Sequence, residues 1–84
     1  MNVWVLEDRE GYLLLQRPDG RCAVIERRAG HFYTLHGRNR HGVPCDLTLI
    51  ETIIDEGDWT HEHTARSTMD FAVERGEELA QRIW

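Results

Sequence analysis

The chain has 84 residues, 40% of them hydrophobic and 30% charged, with two prolines and a net charge of -5. That is the composition of one folded domain, residues 1–84, near the size where a single core is barely sufficient, and not of a disordered tail. No run approaches the roughly 20 apolar residues that span a bilayer, and residues 1–10 have neither the basic start nor the apolar centre of an export signal, so a cytoplasmic location without a membrane partner is expected.

In such a location Cys22 and Cys45 are expected as free thiols. All ten basic residues are arginine, and the charge is unevenly placed: residues 1–40 carry seven Arg against five acids, and residues 41–84 carry three Arg against ten. An electrically polar molecule of this kind says something about partners, not about fold.

Val3 to Leu6 is a short apolar run closed by the charged cluster Glu7 to Glu10 and by Gly11, which predicts a strand over residues 2–7. A second strand is expected over 12–17 and a third over 21–27. Arg17-Pro18-Asp19-Gly20-Arg21 between them is a turn with a mechanism: Pro presets φ, Asp closes the turn with its side chain, and Gly takes the left-handed position after it. Arg28-Ala29-Gly30 reads as another tight turn before a strand at 31–36. Residues 37–44 hold two glycines and a proline and read as a loop.

Residues 46–55 fit either element. Leu47, Ile50 and Ile54 have helical spacing, with Asp46 as a cap, yet Thr48, Ile50, Thr52, Ile53 and Ile54 are β-branched, and a fifth strand is the expectation. A connection at 56–63 then leads to a helix at 64–84. There Ala65, Met69, Ala72, Gly76, Leu79 and Ile83 draw one apolar stripe. The predicted fold is α+β, a four- or five-stranded antiparallel meander with the C-terminal helix across one face. Because Tyr12 to Leu15 and Val3 to Leu6 are apolar on both faces, either the sheet coils enough to bury part of its second face or a second copy of the chain covers it, and the homodimer is the favoured expectation.

The polar side of the predicted helix carries Asp70, Glu74, Glu77 and Glu78 in one sector, with Phe71 among them as an exposed aromatic. Asp55, Glu56 and Asp58 extend the acidity, and Trp59 adds a second large aromatic. A row of like charges at helical spacing costs stability where Glu with Arg would gain it. As a functional face it suits a protein partner with a basic surface, anchored on Phe71 or Trp59. Such a module has the character of a stoichiometric inhibitor or antagonist, as anti-CRISPR, anti-restriction and antitoxin or immunity proteins are.

Two rival sites are present. Arg38 and Arg40, in the loop from His36 to Gly42, form with Arg27 and Arg28 an alternative nucleic-acid contact. His61 and His63, with Cys45, are the nearest approach to a metal set, but they lack any CxxC or HxxxH spacing, and no metal or other cofactor is expected. No G-x-S-x-G, P-loop, H-E-x-x-H or G-x-G-x-x-G pattern occurs, so no enzyme is expected.

Overall fold

The hairpin turns decide how the chain folds back on itself in the computed structural model, which describes residues 3–28, 31–43 and 59–82. Strand β1 (Trp4–Arg9) turns into β2 (Tyr12–Gln16) through Glu10 and Gly11, both at positive φ, 51° and 87°. That is the two-residue turn whose twist matches paired strands. Between β2 and β3 (Cys22–Arg28) the predicted turn forms: Gly20 N–H donates to the Arg17 carbonyl at 2.9 Å, and Asp19 Oδ1 accepts from the Arg21 N–H at 2.9 Å. That backbone bond, ahead of the Arg17 contact, holds the Asp19 carboxyl below its ordinary range.

The expected loop at 37–44 is a hairpin instead. Gly37, at φ 55°, and Arg38 form a two-residue turn between β4 (His31–His36) and β5 (Asn39–Val43), with His36 opposite Asn39. Glycine at the first turn position outweighs the loop-like composition of the residues after it. The expected strand at 46–55 and the turn at Ala29-Gly30 lie outside the described residues.

Helix α1 is shorter than its stripe implies. It runs Glu62–Arg75, with Ala65, Thr68, Met69 and Ala72 buried, and starts behind His61, which makes no side-chain cap. Glu62 in the first turn complements the helix dipole. Gly76–Glu78 then form a turn of 3-10 helix, and Leu79 is extended. Leu79 is still buried, as its place in the stripe requires, but it enters the core from an extended backbone. From there β6 (Ala80–Arg82) runs parallel to β5, opened by the Ala80 N–H donating to the Arg38 carbonyl at 2.9 Å. Sheet pairing has replaced the last turns expected of the helix.

The described fold is therefore α+β, with six strands in the order β1-β2-β3-β4-β5-β6 and not four or five. The sheet is mixed, because β5 and β6 are parallel while the other neighbours are antiparallel. Helix α1 covers one face, where Tyr12, Leu14, Cys22, Val24 and Leu35 meet Ala65, Met69, Ala72 and Leu79. Burial raises the Cys22 thiol pKa.

On the opposite face Ala23, Ile25 and Thr34 are buried within the single chain, so the centre of the sheet needs no second copy to cover it. What stays open is the edge: Trp4, Val5 and Leu6 on β1 are exposed. No helix of the described residues is long and apolar enough to cross a membrane.

Candidate functional site

Where α1 ends, its last turn stands over the β2–β3 hairpin and leaves a cleft of about 570 Å3. Three parts of the chain supply its walls. Glu10 comes from the β1–β2 turn, Arg27 and Arg28 from the end of β3, and Glu74, Arg75, Glu77 and Glu78 from the helix and the 3-10 turn; Tyr12 and Glu26 lie at its base. Tyr12 and Glu26 are direct cross-strand partners, which puts both side chains on the helix-facing side of the sheet.

Glu26 is a carboxylate in the core, 4% exposed, and Arg40 answers it at 5%. Arg40 Nη2 donates to Glu26 Oε2 at 3.0 Å, and Nε comes within 2.6 Å of Oε1 as a charge contact bent away from hydrogen-bond geometry. The same Nη2 donates to the Gly76 carbonyl at 3.0 Å. One guanidinium thus joins β5, β3 and the end of α1, and it is the second donor to a carbonyl that also accepts from the Leu79 N–H at 3.2 Å. Beside the pair, burial above all, and then a hydrogen bond to Glu26, push the Tyr12 hydroxyl up to about 12, so it stays protonated and donating.

The lining holds five glutamates against three arginines. Glu26 is matched by Arg40, and Glu78 by Arg75 at 2.7 Å. Glu10, Glu74 and Glu77 have no ion pair among the described residues, and the helix C-terminus beside them adds the negative end of its dipole. The described residues of its lining supply charge and hydrogen bonds, and among them there is no Ser, Thr, Cys or His.

The residues singled out from the sequence do not come together in one place. Glu74, Glu77 and Glu78 come together in the cleft, and Arg27 and Arg28, assigned to a rival site, join them there. Asp70 lies apart, paired to Arg9 at 2.8 Å, a bond that raises the Arg9 pKa.

Phe71 is not an isolated exposed aromatic. It packs half-buried against the core, with the Arg38 guanidinium 5.0 Å and that of Arg75 5.7 Å from its ring centre. Trp59 is likewise half-buried, with Arg17 4.8 Å from its ring centre.

Arg40 leaves the surface altogether, because a charge on the helix-facing side of β5 must find Glu26 to be buried. His61 and His63 are exposed at the start of α1, and among the described residues no three His, Cys, Asp or Glu converge as metal ligands. Asp55, Glu56, Asp58 and Cys45 lie outside the described residues.

Glu10, Tyr12 and Glu26 were not expected at a site. Glu26 did carry a signal, since it comes after Cys22 and Val24 on the inward phase of its strand, where an acid needs a partner. Comparison with protein-family models, curated proteins and solved structures gives no match.

Proposed function

We propose that the protein is a small acidic protein-binding module whose working surface is the cleft at the end of α1. It acts as a stoichiometric antagonist of a larger basic or nucleic-acid-handling partner, in the manner of anti-CRISPR, anti-restriction or immunity proteins. The observation that supports this is the unmatched acidity of the cleft. Glu10, Glu74 and Glu77 line about 570 Å3 of open space together with Arg27 and Arg28, and no cation is paired to these three acids among the described residues. An arginine or lysine of a partner is the group that would satisfy them, and the chain's net charge of -5 would steer it in.

Nucleic-acid contact through Arg27, Arg28, Arg38 and Arg40 draws on less, since Arg40 is bound to Glu26 and Arg38 lies over Phe71. Self-association belongs to the proposal at the other end of the sheet. Among the described residues strand β1 has a neighbour on one side only, and it exposes Trp4, Val5 and Leu6, the kind of edge that a second copy covers. Sedimentation tests it: a mass that rises with concentration supports a dimer, and a constant monomer mass removes it.

The cleft is tested with a peptide of alternating Arg and Gly. The paired reversal Glu74→Arg with Glu77→Arg should slow its association and flatten the salt dependence of binding, and an unchanged rate would sink the reading.

A further inference from the structure

Away from the acidic cleft, the first turns of α1 leave a hollow of about 160 Å3 over the sheet. Val24 of β3 and Leu35 of β4 line it from below and Ala65 from the helix. Val24 and Leu35 are cross-strand partners that belong to the core, so this floor is aliphatic. Ala65 carries a single methyl above them, and that small side chain leaves the space open.

Three threonines complete the lining. Thr64 and Thr68 are four residues apart and share one face of α1, and Thr60 stands just before the helix. Thr60 is fixed against β3 by two backbone bonds: the Cys22 N–H donates to the Thr60 carbonyl at 2.8 Å, and the Thr60 N–H donates to the Cys22 carbonyl at 2.9 Å. At the exposed side Gly37 lines the hollow, and a Cβ added there would meet no atom within 4 Å, so the β4–β5 turn leaves an entrance.

Thr68 decides what such a hollow suits. It is 8% exposed, lines the cavity and makes no side-chain hydrogen bond among the described residues. The unpartnered polar atoms sealed from solvent belong to Arg9, Glu26 and Arg40, so the Thr68 hydroxyl keeps some reach into the cavity. A buried hydroxyl left single is costly, and a ligand with a donor or acceptor relieves it. The described lining holds no Asp, Glu, Lys or Arg, so a charged ligand would be buried without an answer. In size, an apolar cavity of about 150 Å3 takes up benzene.

We infer that this hollow is a binding site for a small neutral aromatic molecule with one hydroxyl. The ring lies over Val24, Leu35 and Ala65, and its hydroxyl bonds to that of Thr68. The site shares none of its described lining with the acidic cleft, so it goes beyond the proposed function and stands or falls apart from it.

Phenol is the probe, with toluene as a ring that lacks the hydroxyl and benzoate as a charged one. Titration of the full chain, followed by amide and methyl chemical shifts, should show saturable millimolar binding of phenol centred on Val24, Leu35, Ala65 and Thr68. Toluene should bind about fivefold more weakly, through loss of one hydrogen bond, and benzoate should not saturate. Transfer of an apolar ring out of water gives the opposite order on its own, because toluene is the more hydrophobic. Thr68→Val keeps the shape and removes the hydroxyl. It should erase the preference for phenol and leave toluene unchanged, and its urea midpoint without ligand should not fall.

No saturable binding of phenol, toluene bound as tightly as phenol, a preference that survives Thr68→Val, or shifts centred on Glu74 to Glu78 would each overturn the site. A fall in the Thr68→Val midpoint would show the hydroxyl already bonded within the chain, and overturns it as well.

Discussion

Tyr12 and Gly76 compete for the same space, since a Cβ added to Gly76 would run into the Tyr12 hydroxyl, while the ring carbon behind that oxygen would lie at an ordinary 3.6 Å. Gly76 comes directly after the helix and has helical φ and ψ, so intrinsic propensity alone favours alanine there by about 1 kcal/mol. The contact should reverse that sign. Gly76→Ala is expected to destabilise the protein by about 1–3 kcal/mol in urea unfolding. In a Tyr12→Phe background, where the oxygen is gone, the same change should be neutral or stabilising.

The Glu26–Arg40 pair gives a larger effect. Arg40→Met strands a carboxylate that is 4% exposed and removes one of the two donors to the Gly76 carbonyl, so a loss of about 3–5 kcal/mol is expected. Adding Glu26→Gln should recover part of it, because the stranded charge accounts for most of the cost. The comparison is made by denaturant titration of the two single variants and the double variant.

Tyr12 sets an alkaline limit. An unfolded tyrosine loses its proton near pH 10 or so, and the folded Tyr12 near 12. Its contribution is complete below the unfolded value. It is lost as pH rises through the window between the two, where the folded state holds a proton that the unfolded state has released. The loss should reach about 2–3 kcal/mol. Unfolding measured across that window should slope downward, and Tyr12→Phe should remove this part of the slope.

Phe71 tests what the acidic row is for. Its ring packs on the core between Arg38 and Arg75, so Phe71→Ala should cost about 1–3 kcal/mol by thermal or urea unfolding. Arg38→Ala should cost no more than about 1 kcal/mol, as a single cation over an aromatic at the surface. Peptide binding in the cleft should survive both, since neither side chain lines it.

Local patterns were the legible part of this fold. The turn at Pro18-Asp19-Gly20 and the buried positions Ala65, Met69 and Ala72 arise from nearest-neighbour chemistry and helical spacing. Residues 76–82 did not, because Leu79 satisfies a helical stripe and an extended backbone equally well. What separates the two is β5, a strand hidden in a glycine-rich segment, whose leading turn offers the Arg38 carbonyl to the Ala80 N–H. The site was half legible for the same reason. Glu74, Glu77 and Glu78 were apparent as a charged row, whereas Glu10, Tyr12 and Glu26 join them only once β1, β2 and β3 pair. Arg40 read as a loop cation until the sheet placed it opposite a buried acid.

The central claim is that the cleft at the end of α1 receives a cation. The most direct measurement is a residue-resolved chemical-shift titration of the whole chain with the alternating Arg-Gly peptide at low salt. The account expects saturable shifts confined to Glu10, Glu26 to Arg28 and Glu74 to Glu78, reduced by Glu74→Gln. Shifts centred on Trp4 to Leu6 or on the Gly37-Arg38 turn, or no saturable shifts at all, would contradict it.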